Sequence, residues 1–176
     1  MSQSGNVFLV GPMGVGKTTI GRVLADFLGL TFYDSDREIE RVTGADIPWI
    51  FDVEGESGFR VREARMIDQL SQMDNIVLAT GGGAVCDDES RSRLKERGTV
   101  VYLRAPIKQQ VERTSRDKSR PLLQTADPEQ TIRDLMAARE PLYTDVADFS
   151  VDTFRRNPRS VSQEIQRKLN GTTEDS

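Results

Sequence analysis

Short apolar runs punctuate this chain and predict its frame. Val7-Phe8-Leu9-Val10 is uninterrupted, as expected of a strand buried on both faces. Similar runs fall at Leu30 to Tyr33, Ile76 to Ala79, Val100 to Leu103 and Phe149 to Val151. Between them the apolar residues recur at helical spacing. Ile20, Val23, Leu24, Phe27 and Leu28 share one face. So do Phe59, Glu63, Ile67 and Leu70, and again Ile132, Leu135, Met136, Arg139 and Tyr143. Asn157-Pro158 reads as a cap followed by a first-turn proline, and Val161, Ile165 and Leu169 form the stripe after it. Strands alternating with helices predict an α/β domain, a parallel sheet covered on both faces. No repeat or interdomain linker interrupts it, so residues 1–176 read as a single domain. Thr172 to Ser176 reads as a frayed tail.

Composition narrows the chemistry. Hydrophobic residues make up 36% and charged residues 30%, a balance that suits a water-soluble domain. A net charge of -4 argues against a general nucleic-acid binder. There is no histidine, which removes imidazole bases and His-ligated metals. The single cysteine, Cys86, cannot form an internal disulfide and suits a reducing compartment. No apolar run approaches the ~18 residues of a membrane span, and no basic patch leads into a long apolar segment at the start. The expected location is the cytoplasm.

The first strand runs into Gly11-Pro12-Met13-Gly14-Val15-Gly16-Lys17-Thr18-Thr19, which fits G-x-x-x-x-G-K-[ST]. In such a loop the glycines let backbone N–H groups converge on a phosphate, and the next helix adds its positive dipole end. Lys17 is expected at the β- and γ-phosphates and the Thr18 hydroxyl on Mg²⁺. Strand, loop and helix arrive in the required order. The loop is therefore expected to hold a nucleoside triphosphate.

Other residues bear on what the triphosphate is used for. The third apolar run leads into Thr80-Gly81-Gly82-Gly83, with no acid where many P-loop enzymes hold Mg²⁺. Asp34 and Asp36, at the end of the second run, are the alternative carboxylates. In extended chain they point the same way, although a turn or cap is the other reading. Gly81 to Gly83 is either a tight turn or bare backbone offered to a ligand. Arg139 lies on the apolar stripe of its helix and needs an anionic partner or a route to water. Arg60, one turn before Glu63, has a similar setting. Each forms a structural ion pair or grips a small carboxylate or phosphate. From Arg104 to Arg120 six cations stand against two anions, a net +4 segment that includes Arg113 and Lys118. It is either a solvated basic face or, with the proline-bearing stretch 118–128, a lid over the triphosphate.

Taken in order, the loop with Lys17, Asp-Ser-Asp at 34–36, Gly-Phe-Arg at 58–60, the triple glycine, Arg-Pro-Leu-Leu at 120–123 and Ala-Arg-Glu-Pro-Leu-Tyr at 138–143 resemble the shikimate kinase family along nearly the whole chain. The resemblance implies a P-loop NTPase fold like that of nucleoside monophosphate kinases, a five-stranded parallel sheet in order 2-3-1-4-5. It implies Mg²⁺-dependent transfer of the ATP γ-phosphoryl to the 3-hydroxyl of shikimate, in aromatic amino-acid biosynthesis. It implies a substrate-binding insertion at about 34–62 and a lid at about 115–127. By resemblance Arg60 and Arg139 hold the substrate carboxylate, Asp36 orients or deprotonates the attacking hydroxyl, and Gly82 offers backbone between Gly81 and Gly83. Ile47, Phe51 and Phe59 form an apolar wall. Asp34 acts at Mg²⁺ with Thr18, while Lys17 and Arg120 neutralise the transferring phosphoryl. Gly14 to Thr19 and Arg113 contact the nucleotide, and Arg156 and Pro158 lie in a turn resembling the adenine-contacting one. Rival readings are gluconate kinase, a nucleoside monophosphate kinase, and a non-catalytic nucleotide switch, for which the [NT]-K-x-D motif is missing. No nucleic-acid, membrane or partner surface is expected, and the chain reads as a monomer.

Overall fold

The computed structural model describes residues 5–117 and 120–171; Lys118 of the basic segment and the tail at 172–176 lie outside the described residues. The order is β1 (Val7–Val10), α1 (Lys17–Leu28), β2 (Thr31–Asp34), α2 (Ser35–Thr43), α3 (Ile47–Ser71), β3 (Ile76–Ala79), α4 (Asp88–Arg97), β4 (Thr99–Arg104), α5 (Ile107–Thr114), α6 (Pro128–Val146), β5 (Phe149–Asp152) and α7 (Pro158–Leu169). The five strands are parallel, in the order β2-β3-β1-β4-β5 that the resemblance implied.

Strand periodicity divides the core in two. Phe8 and Val10 face one side, with Leu78, Val100 and Tyr102, under residues of α2, α3, α4 and α6. Val7 and Leu9 face the other, with Val77, Val101 and Leu103, under α1 and α7. A continuous apolar run in β1 follows from this double burial.

The second strand begins one residue later than its apolar run. Gly29 ends α1 in the left-handed conformation, and the Leu30 N–H turns back to Ala25 O at 2.9 Å. Leu30 therefore closes the helix instead of opening the strand. The predicted cap of α7 is present, with Asn157 accepting from the Ser160 N–H at 2.8 Å. A larger departure lies in α3, whose helical run is broken at Gly55, with φ 74° and ψ 176°. Only a residue without Cβ adopts that conformation readily.

Candidate active site

Residues from half of these elements, and from the loops between them, line one cleft of about 650 Å³ at the carboxyl ends of the strands. Gly14, Gly16, Lys17, Thr18 and Thr19 form one side, after β1. Gly16 is left-handed, φ 93°, and no side chain caps α1 among the described residues. The first-turn N–H groups are thus left for an anion. Lys17 folds back on the loop, donating to Gly11 O at 2.6 Å and Pro12 O at 2.8 Å. Burial, helped by the nearby Arg120 charge, lowers its pKa to about 7.

Asp34 ends β2 and caps α2: Oδ1 accepts from the N–H groups of Asp36 and Arg37, at 3.0 and 3.2 Å. Its Oδ2 accepts the Thr18 hydroxyl at 2.6 Å. Capping α2 and lining the cleft are therefore compatible in Asp34. Asp36 reaches the cleft differently from the sequence expectation. It sits in the first turn of α2, so the extended-chain argument fails, because the chain turns helical at Ser35. Burial, then the charges of Glu63 and Asp34, raise its pKa to about 7.

No cluster of three or more His, Cys, Asp or Glu side chains could hold a metal among the described residues. Thr18 and Asp34 nevertheless fit Mg²⁺, which is commonly held by one or two carboxylates together with substrate phosphates. At the end of β3, where an acid was missing, Thr80 donates its hydroxyl to Leu9 O at 2.8 Å and ties β3 to β1.

Arg60 and Arg139 both line the cleft but differ in partners. Arg60 pairs with Glu63 at 2.7 Å and Glu56 at 3.4 Å. Arg139 is 6% exposed, lies near the Tyr143 phenol oxygen, and makes no ion pair among the described residues. Two of the glycines leave room for charged side-chain ends. A Cβ on Gly83 would lie 2.5 Å from the Arg60 guanidinium, and one on Gly81 2.8 Å from Glu63 Oε2. The middle glycine accepts from the Tyr143 hydroxyl through Gly82 O, at 2.6 Å.

Phe51 and Phe59 supply an apolar wall with ring centroids 4.9 Å apart, extended by Ile47. Arg120, bonded to Asp117 at 3.1 Å, and Arg113, 3.4 Å from Gly14 O, complete the cationic side. Three expected residues do not line this cleft. Val15 is buried beneath the loop. Pro158 is the first residue of α7, and Arg156 is bound to Glu164 at 2.7 Å and to Ser160.

The family model for shikimate kinase matches residues 13–170. The chain belongs to the shikimate kinase family. It is 58% identical over 169 residues to a shikimate kinase of Alteromonas mediterranea, covering 96% of this chain and 99% of that one. A Pseudomonas fluorescens shikimate kinase is 60% identical, covering 93% and 95%. The structure of shikimate kinase from Acinetobacter baumannii in complex with shikimate superposes with a TM-score of 0.94 at 50% identity, covering 99% and 97%. A gluconokinase from Sinorhizobium meliloti shares the fold alone, with a TM-score of 0.58 at 14% identity.

Several residues of this shikimate kinase family site were not legible in advance. Glu63 was expected only to orient Arg60, yet its second oxygen is buried without a donor among the described residues. Met13 stands beside Gly82, and Arg37 and Glu40 line the cleft near Asp36. Glu40 accepts from the Ile47 N–H at 3.2 Å and so fixes the start of the apolar wall. Their signal lies in tertiary proximity, which no spacing encodes.

Proposed function

We propose that this chain transfers the γ-phosphoryl of ATP to the 3-hydroxyl of shikimate, giving 3-phosphoshikimate for aromatic amino-acid biosynthesis. The observation that carries this reading is Arg139, a buried guanidinium without an ion pair among the described residues, in the same cleft as a phosphate-binding loop. A carboxylate ligand completes it. Arg60, already oriented by Glu63, supplies a second cation for the same group.

The remaining roles follow from position. Phe51, Phe59 and Ile47 hold the apolar side of the ring, and Gly82 offers close backbone. Asp36 accepts the attacking hydroxyl's hydrogen bond. Lys17 leaves its two loop carbonyls to meet phosphate oxygens, and Arg120 and Arg113 add positive charge. Thr18 and Asp34 would hold Mg²⁺, which would supply positive charge to the phosphates. Phosphoryl transfer needs positioning and charge stabilisation above all, and these groups provide both.

We further read residues 34–62 as the acceptor-binding insertion and 115–127 as a lid. Arg156 and Pro158 are proposed to border the adenine from the turn after β5. The chain's own helices cover both sheet faces, which supports a monomer. No helix among the described residues is long and apolar enough to cross a membrane, and a cytoplasmic location is proposed with it. An ATP-consumption screen against shikimate, gluconate and nucleoside monophosphates tests the function. Turnover that depends on shikimate is expected; turnover on gluconate instead, or none with any acceptor, would sink the reading.

A further inference from the structure

Two contacts inside α3 each span eight residues. The rings of Phe51 and Phe59 are 4.9 Å apart. Arg62 grips Glu54 bidentately, with Nη2 at 2.6 Å from Oε1 and Nε at 3.1 and 3.0 Å from the two oxygens. Eight residues of straight helix rise about 12 Å along the axis. Neither contact fits a straight helix. Both exist because the chain turns at Gly55. Gly58 is the second requirement, since a Cβ there would lie 2.6 Å from Glu54 Cβ.

The bend makes an arm, residues 47–54, and a stem, residues 56–71. The arm carries Ile47 and Phe51, one part of the cleft wall. The stem carries Phe59, Arg60 and Glu63. Glu40 and Asp46 tie the start of the arm, accepting from the N–H groups of Ile47 and Trp49. Glu54 and Arg62 do not line the cleft, and their side chains are 29% and 41% exposed.

We propose that Glu54 and Arg62 are a positioning pair for the acceptor, an ionic clasp that sets the angle between arm and stem. This rests on reading the cleft as the shikimate site. Stacked rings tolerate sliding, whereas a bidentate carboxylate–guanidinium pair fixes direction. A solvent-exposed pair contributes little to global stability. Its effect is on geometry. When the arm swings away from the stem, Phe51 leaves Phe59 and the wall opens. A site that is competent only part of the time binds more weakly in proportion. The phosphate loop, after β1, is not part of the arm and keeps its geometry.

Steady-state kinetics on Glu54→Gln, Arg62→Met and the charge-swapped Glu54→Arg/Arg62→Glu double variant test this. Each single variant should raise the shikimate KM about two- to fivefold, the scale of an exposed pair. The ATP KM, and kcat at saturating shikimate, should stay at wild-type values, and the swap should recover most of the loss. Trp49, the sole tryptophan, rides on the arm. Its acrylamide quenching should rise in the single variants and return to the wild-type level at saturating shikimate. A merely structural role would lower melting temperature and active fraction without separating the two KM values. Unmoved shikimate KM in both singles, equal shifts for both substrates, or a swap without recovery overturns the proposal. Wild-type turnover is measured first. Its absence overturns the function and the clasp's role together, whereas normal turnover with unmoved KM overturns the clasp alone.

Discussion

Asp36 and Glu63 face one another across Gly81. A methyl on that glycine would lie 2.9 Å from Asp36 Oδ1 and 2.8 Å from Glu63 Oε2. Neither of those buried oxygens meets a hydrogen-bond donor among the described residues. Like charges in so dry a place favour a proton on the pair.

That relationship predicts a pH effect on stability. Burial raises the pKa of Glu63 above its ordinary 4.5, against the pull of Arg60 and Arg139 and with a push from Asp87. A raised folded-state pKa gives stability that is fully present below the unfolded value and lost as pH climbs through the folded one. Glu63→Gln removes this titration and the negative charge beside Asp36. The melting-temperature difference, wild type minus variant, should therefore be greatest below pH 4.5 and shrink as pH rises. A difference that grows with pH would show that the Arg60 pair dominates instead.

Lys17→Met should reduce turnover by about 10²–10³-fold or more, the scale for losing a positioned cation or donor on the transferring group. The variant leaves the carbonyls of Gly11 and Pro12, both buried residues, without their Lys17 donor, which costs stability, but it also removes a desolvated charge, which returns part of it. Calorimetric melts should accordingly shift by only a few degrees. Wild-type turnover in this variant would remove the phosphate loop from the mechanism.

For Arg120→Ala the expected signature is a large fall in kcat with a small change in shikimate KM. Arg120 stands on the cationic side with Lys17, not beside Arg60 and Glu63, and should meet charge chiefly in the transition state. The reverse pattern would reassign it to the acceptor.

Arg139→Ala should weaken shikimate binding by roughly 2–5 kcal/mol, as for breaking a desolvated charge pair, while ATP binding stays unchanged. A carboxamide analogue of shikimate should bind wild type poorly, and the variant should lose most of its preference for the acid. Calorimetry with both ligands on both proteins decides this. A preference that survives the substitution leaves Arg60 as the sole anchor.

Much of this molecule was readable because its signals are local. The phosphate loop, the strand before it and the helix after it are contiguous, so spacing alone specified them. Arg139 stood out because a cation on an apolar stripe demands an explanation. Asp34 and Asp36 both line the cleft, but not for the extended-chain reason, since the helix start at Ser35 is set by Asp34 capping its own chain. Gly55 gave no warning. A glycine in a helical pattern is usually tolerated at a small cost, and the bend shows itself only in contacts eight residues apart, Phe51 with Phe59 and Glu54 with Arg62. Glu63's second oxygen was equally silent, because its neighbour across Gly81 is 27 positions away in the chain.

The hydroxyl of Tyr143 on Gly82 fastens α6 to the strand exit that carries the glycines. Arg139 is rooted in the same helix, one turn earlier, so the proposed anchor of the acceptor stands on a fixed post. The stretch 120–127 runs just ahead of that helix and packs against it and α3, with Leu123 buried and Pro121 and Leu122 lining the cleft. Speed and choice are thereby coupled traits. Grafting a longer or shorter stretch from a relative should retune both how quickly product escapes and how tightly the acid is held.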